Sequence, residues 1–181
     1  RKKYPDILID LDAGNSSKVI NSLRSYNSDI GVVGRPISGN DVSSIPIGTS
    51  KIQAVASRKY FKTPPDALTF RELKNLPLIF REEGSHTQEQ LVKKALLEGV
   101  KLSSVIQVSG REALHDLVAQ GLGVGFVSQA EISRDQRLVA IEIAAGDIQM
   151  TERLVYLRAR QDVPIVRAFL KVVKGDRIEK N

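Results

Sequence analysis

Residues 105–129 read VIQVSGREALHDLVAQGLGVGFVSQ, and this stretch decides the fold. Val105, Ile106 and Val108 form an apolar, strand-like run. Ser109 and Glu112 have the S-x-x-E spacing of a capping box, in which each side chain takes an orphan N–H of a helix's first turn. Ala113, Leu114, Leu117 and Val118 then recur at i, i+1, i+4 and i+5, giving a helix one buried stripe. Gly121 supplies the stop, and Gly123 and Gly125 let the backbone pass close to a neighbour before Phe126 and Val127 resume a strand. Such a unit leaves free N–H groups and a positive dipole end at residues 109–112, where a small anion can sit. This is the chemistry of holding a ligand, not of cutting one.

The same design recurs upstream. Residues 78–80 form a short apolar strand behind Pro77, Arg81-Glu82-Glu83-Gly84 turns the chain, and Ser85-x-x-Gln88 is a second capping box. The helix that follows is expected to bury Leu91, Val92, Ala95 and Leu96 and to end at Gly99. A looser third unit runs from an expected strand at 7–11, through Gly14-Asn15-Ser16, into a helix with Val19, Ile20, Leu23 and Tyr26 on one face. Three strand–loop–helix units predict an α/β fold with parallel βα architecture, whose loops converge on a crevice. Each Ser or Asn alone has the plainer reading of a helix cap. The repeated company of glycine and charge argues for more.

Between these units the pattern predicts a strand at 30–33, a polar loop at 38–44 and a strand at 51–57. Thr69-x-x-Glu72 caps a short helix ending near Asn75. Further on come a helical turn at 130–134, strands at 138–143 and 151–157, and a last helix from Pro164 with Ile165, Val166, Phe169 and Leu170 on its apolar face. This order predicts two lobes joined by two crossover linkers. Residues 1–77 with 150–181 would make the first lobe, and residues 78–149 the second. Arg1-Lys2-Lys3-Tyr4-Pro5-Asp6 reads as the end of a helix stopped by proline, so an element is expected upstream.

Composition narrows the function. The 181 residues can bury a sizeable core, and 41% hydrophobic with 27% charged residues is ordinary for a globular chain. With no cysteine there is neither a disulfide framework nor a thiolate nucleophile, which fits a cytoplasmic location. No run has the length of a membrane span, so no membrane partner is expected. The net charge is +6, yet Lys and Arg are scattered apart from the start and the tail. Only 5% of residues are aromatic, which leaves no platform for stacking bases. Attraction for an anionic small molecule fits this balance better than nucleic acid.

Several of these segments together resemble the effector-binding (substrate-binding) domain of LysR-type transcriptional regulators. The residues that carry the resemblance are Tyr4-Pro5-Asp6, Gly14-Asn15-Ser16, Leu23-Arg24 and Asp29-Ile30-Gly31-Val32-Val33, then the run from Leu78 to Ser85 and the run from Gly121 to Ser128. The resemblance implies a two-lobed, periplasmic-binding-protein-like (type 2) fold, each lobe a mostly parallel sheet flanked by helices, around an effector cleft. It implies homodimers or homotetramers and a DNA-binding helix-turn-helix, which has no counterpart in these residues. The first strand and first ligand loop of such a domain also have none. The strand at 30–33 and the helix at 15–26 are the expected dimer surface.

Carried onto this chain, the resemblance gives a candidate effector site. Asn15 and Ser16 lie at the cleft mouth. Arg35 and Pro36, after Gly34, follow the strand that feeds it. Arg81, Gly84, Ser85 and Thr87 belong to the first loop of the second lobe, and Ser109, Gly110 and Arg111 to its second. Phe126, Val127 and Ser128 line the floor. Serine hydroxyls and helix N–H groups would bind an anion, and Arg35, Arg81 or Arg111 would clamp it in bidentate fashion. The competing role for the arginines is a surface salt bridge, Arg81 with Glu83 and Arg111 with Glu112 or Asp116.

Catalysis is not expected. There is no G-x-S-x-G elbow, and the two histidines, His86 and His115, stand apart, each read as a surface residue. Glu82 and Glu83 are adjacent loop acids that suit a helix dipole better than acid–base work. Gly121-x-Gly123-x-Gly125 closes a helix and lacks dinucleotide spacing. No cofactor or metal is predicted. The runner-up function is a solute-binding protein of a transporter, which shares the fold and the cleft.

Overall fold

The computed structural model describes residues 4–132, 135–144 and 146–178. The basic start at residues 1–3 and part of the 130–134 turn lie outside them. The chain makes helix α1 (Ser16–Arg24), strands β1 (Gly31–Val33), β2 (Val42–Ser57) and β3 (Ala67–Leu68), and a short helix α2 (Phe70–Leu73). It continues with β4 (Leu78–Arg81), α3 (His86–Leu97), β5 (Ser104–Val108), α4 (Arg111–Ala119) and β6 (Gly125–Ser128). Strands β7 (Leu138–Ile143) and β8 (Gln149–Leu157) and helix α5 (Pro164–Ile178) complete it.

The stretch from β4 to β6 is the parallel unit that the sequence predicts. β4 pairs with β5 in parallel, and a parallel bridge joins Leu78 to Val124 on its other side. The carbonyl of Pro77 accepts the Val124 N–H at 2.9 Å, and a Cβ on Gly123 would lie 2.3 Å from that same oxygen. The glycine is therefore what lets β6 come alongside. This arrangement sets the starts of α3 and α4 at the carboxyl ends of β4 and β5, the edge where ligands gather in α/β sheets.

β2 ties the molecule together. Its first half pairs antiparallel with β8, from Val42↔Leu157 to Lys51↔Gln149. Its second half pairs antiparallel with β6 and β7. The burial changes with the partner: the last six residues, 52–57, are all buried, whereas the first half is largely exposed or half-buried. β1 adds antiparallel to β8, and β3 adds in parallel to β7. The predicted loop at 38–44 is in part this strand. Pro46 and Gly48 hide it from a propensity reading, and a register shift between them absorbs the missing proline donor.

Four apolar clusters fill the fold. One gathers Ile52, Phe70, Leu73, Leu91, Phe126 and Ile141, and a second packs Leu114 and Val118 of α4 on Val55, Ile79 and Val127. A third joins Leu23 of α1 to Val33, Val42 and Val155, and a fourth seats Val166 and Leu170 of α5 on Leu154. Residues 52–76 thus pack with the second body of the chain. The division expected at residue 77 falls inside β2 instead, because

Other local expectations are corrected. Residues 7–11 form no strand, and Leu8 and Leu11 are 91% and 88% exposed. They have the alternating pattern, but no described strand runs beside them to take their N–H and C=O groups. Ser85 caps α3 by position only, since its side chain makes no cap bond and Gln88 Oε1 instead accepts the Arg81 N–H at 3.4 Å. The cap of α4 falls on Gly110 rather than Ser109. Of the three boxes, Thr69–Glu72 forms in full, with Glu72 N to Thr69 Oγ1 at 3.2 Å and Thr69 N to Glu72 Oε2 at 2.8 Å. Leu96, Tyr26, Ile165 and Phe169, placed on buried faces by periodicity, are exposed.

Candidate functional site

Two helix starts meet at one crevice. α1 opens at Asn15, whose Oδ1 accepts the Lys18 N–H at 2.9 Å, and α3 opens at Ser85. Between them lies a cavity of about 120 Å³, walled on one side by Gly14, Asn15, Ser16 and the end of β1 through Gly34. Arg81, Ser85, His86 and Thr87 wall the other side, and Glu131, Met150 and Glu152 complete it. First-turn N–H groups of both helices are unspent by the helices themselves, and both positive dipole ends point into the same space.

Ser85 is 4% exposed, makes no cap bond, and has no other side-chain partner among the described residues. A buried hydroxyl left unbonded at a helix start is a ready donor to an anion. Thr87, also buried, spends its hydroxyl on the Met150 sulfur at 3.3 Å, a weak acceptor that a carboxylate or phosphate oxygen would outcompete.

Arg81 is held in a fixed pose. Its Nε donates to Glu82 Oε2 at 2.9 Å and its Nη2 to Glu82 Oε1 at 3.0 Å. The Gly110 N–H reaches Glu82 Oε2 at 3.1 Å, and Asn15 Nδ2 reaches Oε1 at 3.1 Å across the crevice. Burial pushes the Glu82 carboxyl up, but the bonds from Arg81, its own N–H and the Gly110 N–H outweigh this and hold it at about 2. Glu82 therefore stays ionised and works as a bracket for Arg81. His86 lies against Glu89 and Gln90, and burial lowers its imidazole pKa more than Glu89 raises it. It faces the cavity as a neutral ring at pH 7.

The sequence-predicted residues divide into three groups. Arg81, Ser85 and Thr87 line the cavity with Asn15 and Ser16. Arg35, Gly84 and Gly110 serve its frame: Arg35 Nη2 crosses the crevice to Glu89 Oε1 at 2.6 Å, and Gly84 packs against the Asn15 and Ser17 side chains. The rest stand off the cavity lining. Pro36 and Ser109 are exposed, and Arg111 pairs with Glu112 at 2.7 Å and Glu131 at 3.6 Å. Phe126 and Val127 are packed within the cores, and the buried Ser128 gives its N–H to Glu131 Oε2 at 3.3 Å.

His86, Glu131, Met150 and Glu152 are cavity residues that the sequence reading did not place there. His86 had one legible signal, its position just after a helix cap, but was read as surface; its side chain is 11% exposed. His115, also read as surface, is half-buried with Nε2 enclosed and unpartnered. Met150 and Glu152 arrive from β8, more than 60 residues away, and carry no local signal. Among the described residues no three His, Asp or Glu side chains gather to hold a metal, and no helix is long and apolar enough to cross a membrane.

Comparison with known proteins agrees with this geometry. The chain is similar to the HTH-type transcriptional activator CmpR of Synechocystis sp., 24% identical over 94% of this chain and 57% of that protein. It is similar to the HTH-type transcriptional regulator CysL of Bacillus subtilis, 23% identical over 88% of this chain and 54% of that protein. The chain thus spans about half the length of these curated relatives. Among solved structures, the Synechocystis CcmR regulatory domain in complex with 2-PG superposes with a TM-score of 0.83 at 20% identity, covering 96% of this chain and 85% of that one. The effector binding domain of QuiR in complex with shikimate gives 0.82 at 14% identity, over 95% of this chain and 82% of that one. These likenesses show a two-lobed, periplasmic-binding-protein-like fold. The family model described as the LysR substrate binding domain matches residues 1–176, and with the fold and the crevice in agreement the chain belongs to that family.

Proposed function

We propose that the chain senses a small organic anion in the crevice between its lobes, as the effector-binding part of a LysR-type transcriptional regulator. The observation that carries the reading is the unbonded, buried Ser85 hydroxyl at the meeting point of the α1 and α3 starts, beside the bracketed Arg81. Arg81, Ser85 and Thr87 contact the effector, and Arg35, Gly84 and Gly110 hold the walls. The whole protein acts in the cytoplasm as a homodimer or homotetramer and meets DNA through a helix-turn-helix outside these residues. Effector binding then shifts the balance of lobe arrangements, which requires that the anion bind one arrangement better than the other. The relatives named above are transcriptional regulators, which favours this over transport or catalysis.

Titration calorimetry tests the site directly. The panel is small carboxylates and phosphate esters, including 2-PG and shikimate, each against its neutral amide or alcohol counterpart. The expected result is saturable binding of at least one anion with the neutral counterpart at least tenfold weaker, matching the loss of one charge-assisted bond of about 1.5–3 kcal/mol. Equal binding of charged and neutral partners would overturn the anion assignment.

A further inference from the structure

Resting on that reading, the geometry points to a narrower ligand class: we infer a short-chain acid that carries a hydroxyl or ammonium group opposite its anionic end. The cavity has two ends of opposite demand. One is the donor end already described, where Ser85 offers an unbonded buried hydroxyl beside Arg81. The other is set by two carboxylates. Glu131 is occupied, taking the Ser128 N–H and facing Arg111 at 3.6 Å. Glu152 has no ion-pair partner among the described residues, yet its side chain lines the same cavity.

A carboxylate beside an anion pocket is a selectivity element. It repels a ligand that presents a second negative or a bare acceptor atom there, and it rewards one that presents a donor. A hydroxyl donates to Glu152, and an ammonium does so with opposite charge. Size sets the second limit. A 150 Å³ engineered cavity holds one benzene, so about 120 Å³ suits roughly five to nine non-hydrogen atoms. Hydroxy acids and amino acids of two to four carbons meet both demands, whereas nucleotides and large aromatic acids meet neither. Met150 and Val32 supply the apolar wall between the ends.

The test uses matched pairs that differ only in the donor: lactate with propionate, malate with succinate, and aspartate with succinate. Each is titrated by calorimetry into the 181-residue domain and into its Glu152→Ala and Glu152→Gln variants. The expected result is at least tenfold tighter binding of one donor-bearing member to the wild type, with the preference lost in Glu152→Ala. Glu152→Gln keeps a preference for a hydroxyl acid and loses one for an ammonium acid. Circular dichroism melts confirm that both variants are folded. If donor-bearing and donor-lacking acids bind the wild type equally, or the preference survives Glu152→Ala, the inference falls while the anion site stands. If no acid of the panel binds, both fall.

Discussion

Glu82 decides how Arg81 can act. An arginine on a loop samples many rotamers, and ordering one costs about 2 kcal/mol of side-chain entropy when a ligand must do it. Here both terminal bonds of the guanidinium fork are spent on Glu82, whose own oxygens also hold the α4 start and Asn15. A carboxyl held lower in the folded chain than in the unfolded one stabilises fully above its unfolded pKa. For Glu82 that is about 4.5, and the contribution fades as pH falls toward the folded value of about 2. Glu82→Gln should therefore cost about 1–2 kcal/mol at pH 7 once solvent screening is allowed for. Urea unfolding at pH 7 and pH 3 checks this: the gap between wild type and variant narrows at pH 3, and a constant gap refutes the bracket. Ser85 makes the opposite prediction. Replacing a bonded cap costs about 0.5–2 kcal/mol, but this hydroxyl bonds nothing in the helix. Ser85→Ala should change stability by less than about 0.5 kcal/mol and weaken anion binding about tenfold, a single hydrogen bond to a charge. A large stability loss with unchanged affinity would make it a cap after all.

At the scale of elements, the β4–α3–β5–α4–β6 unit was legible because its signals are local: apolar period, glycine stops and short connections. Its glycines act for two separate reasons, and substitution tells them apart. A Cβ on Gly123 would meet the Pro77 carbonyl oxygen at 2.3 Å, a backbone atom that moves only if the β4–β6 bridge opens. Gly121 has open space around it but a φ of 83°. Gly123→Ala should lower stability by about 2–3 kcal/mol as overpacking does, and Gly121→Ala by about 1 kcal/mol for its left-handed backbone. Denaturant midpoints that reverse this order would show that β6 does not lie as described. What was not legible depends on partners distant in sequence. The segment 7–11 alternates like a strand, but alternation makes a strand only beside another. The first half of β2 looks like a loop because Pro46 and Gly48 interrupt it, and only the register with β8 makes it extended. The site divides the same way: the 81–87 loop announced itself through glycine, charge and a helix start, whereas Met150 and Glu152 reach the cavity through topology alone. Phe126 and Val127 were apolar residues in the right strand, and apolar side chains there go to the cores.

For the whole molecule, what matters is how the two bodies are held across the crevice. β2 and β8 run side by side through most of their length, so they form a narrow paired connection about which the bodies can turn. Few bonds bridge the gap elsewhere: Arg35 to Glu89 at 2.6 Å, and Asn15 Nδ2 to Glu82 Oε1 at 3.1 Å and to the Glu83 carbonyl at 3.2 Å. The ion pair is partly exposed and is worth at most about 1 kcal/mol, and each Asn15 bond contributes about 1 kcal/mol. The closed arrangement is thus favoured by a margin that a ligand's preference can match or a single substitution can erode. Losing about 1 kcal/mol changes the closed-to-open ratio roughly fivefold and weakens apparent affinity by up to that factor when only the closed form binds. Glu89→Gln removes the charge while leaving the first turn of α3 intact. It should give a larger radius of gyration in X-ray scattering without ligand, the wild-type value with ligand, and affinity lowered by up to about fivefold. Raising salt to 0.5 M should loosen the wild type and leave the variant unchanged, because screening acts on a pair the variant no longer has. Identical scattering and affinity for the two proteins at every salt concentration would mean that the Arg35–Glu89 pair does not hold the crevice shut, and closure would then rest on the Asn15 bonds alone.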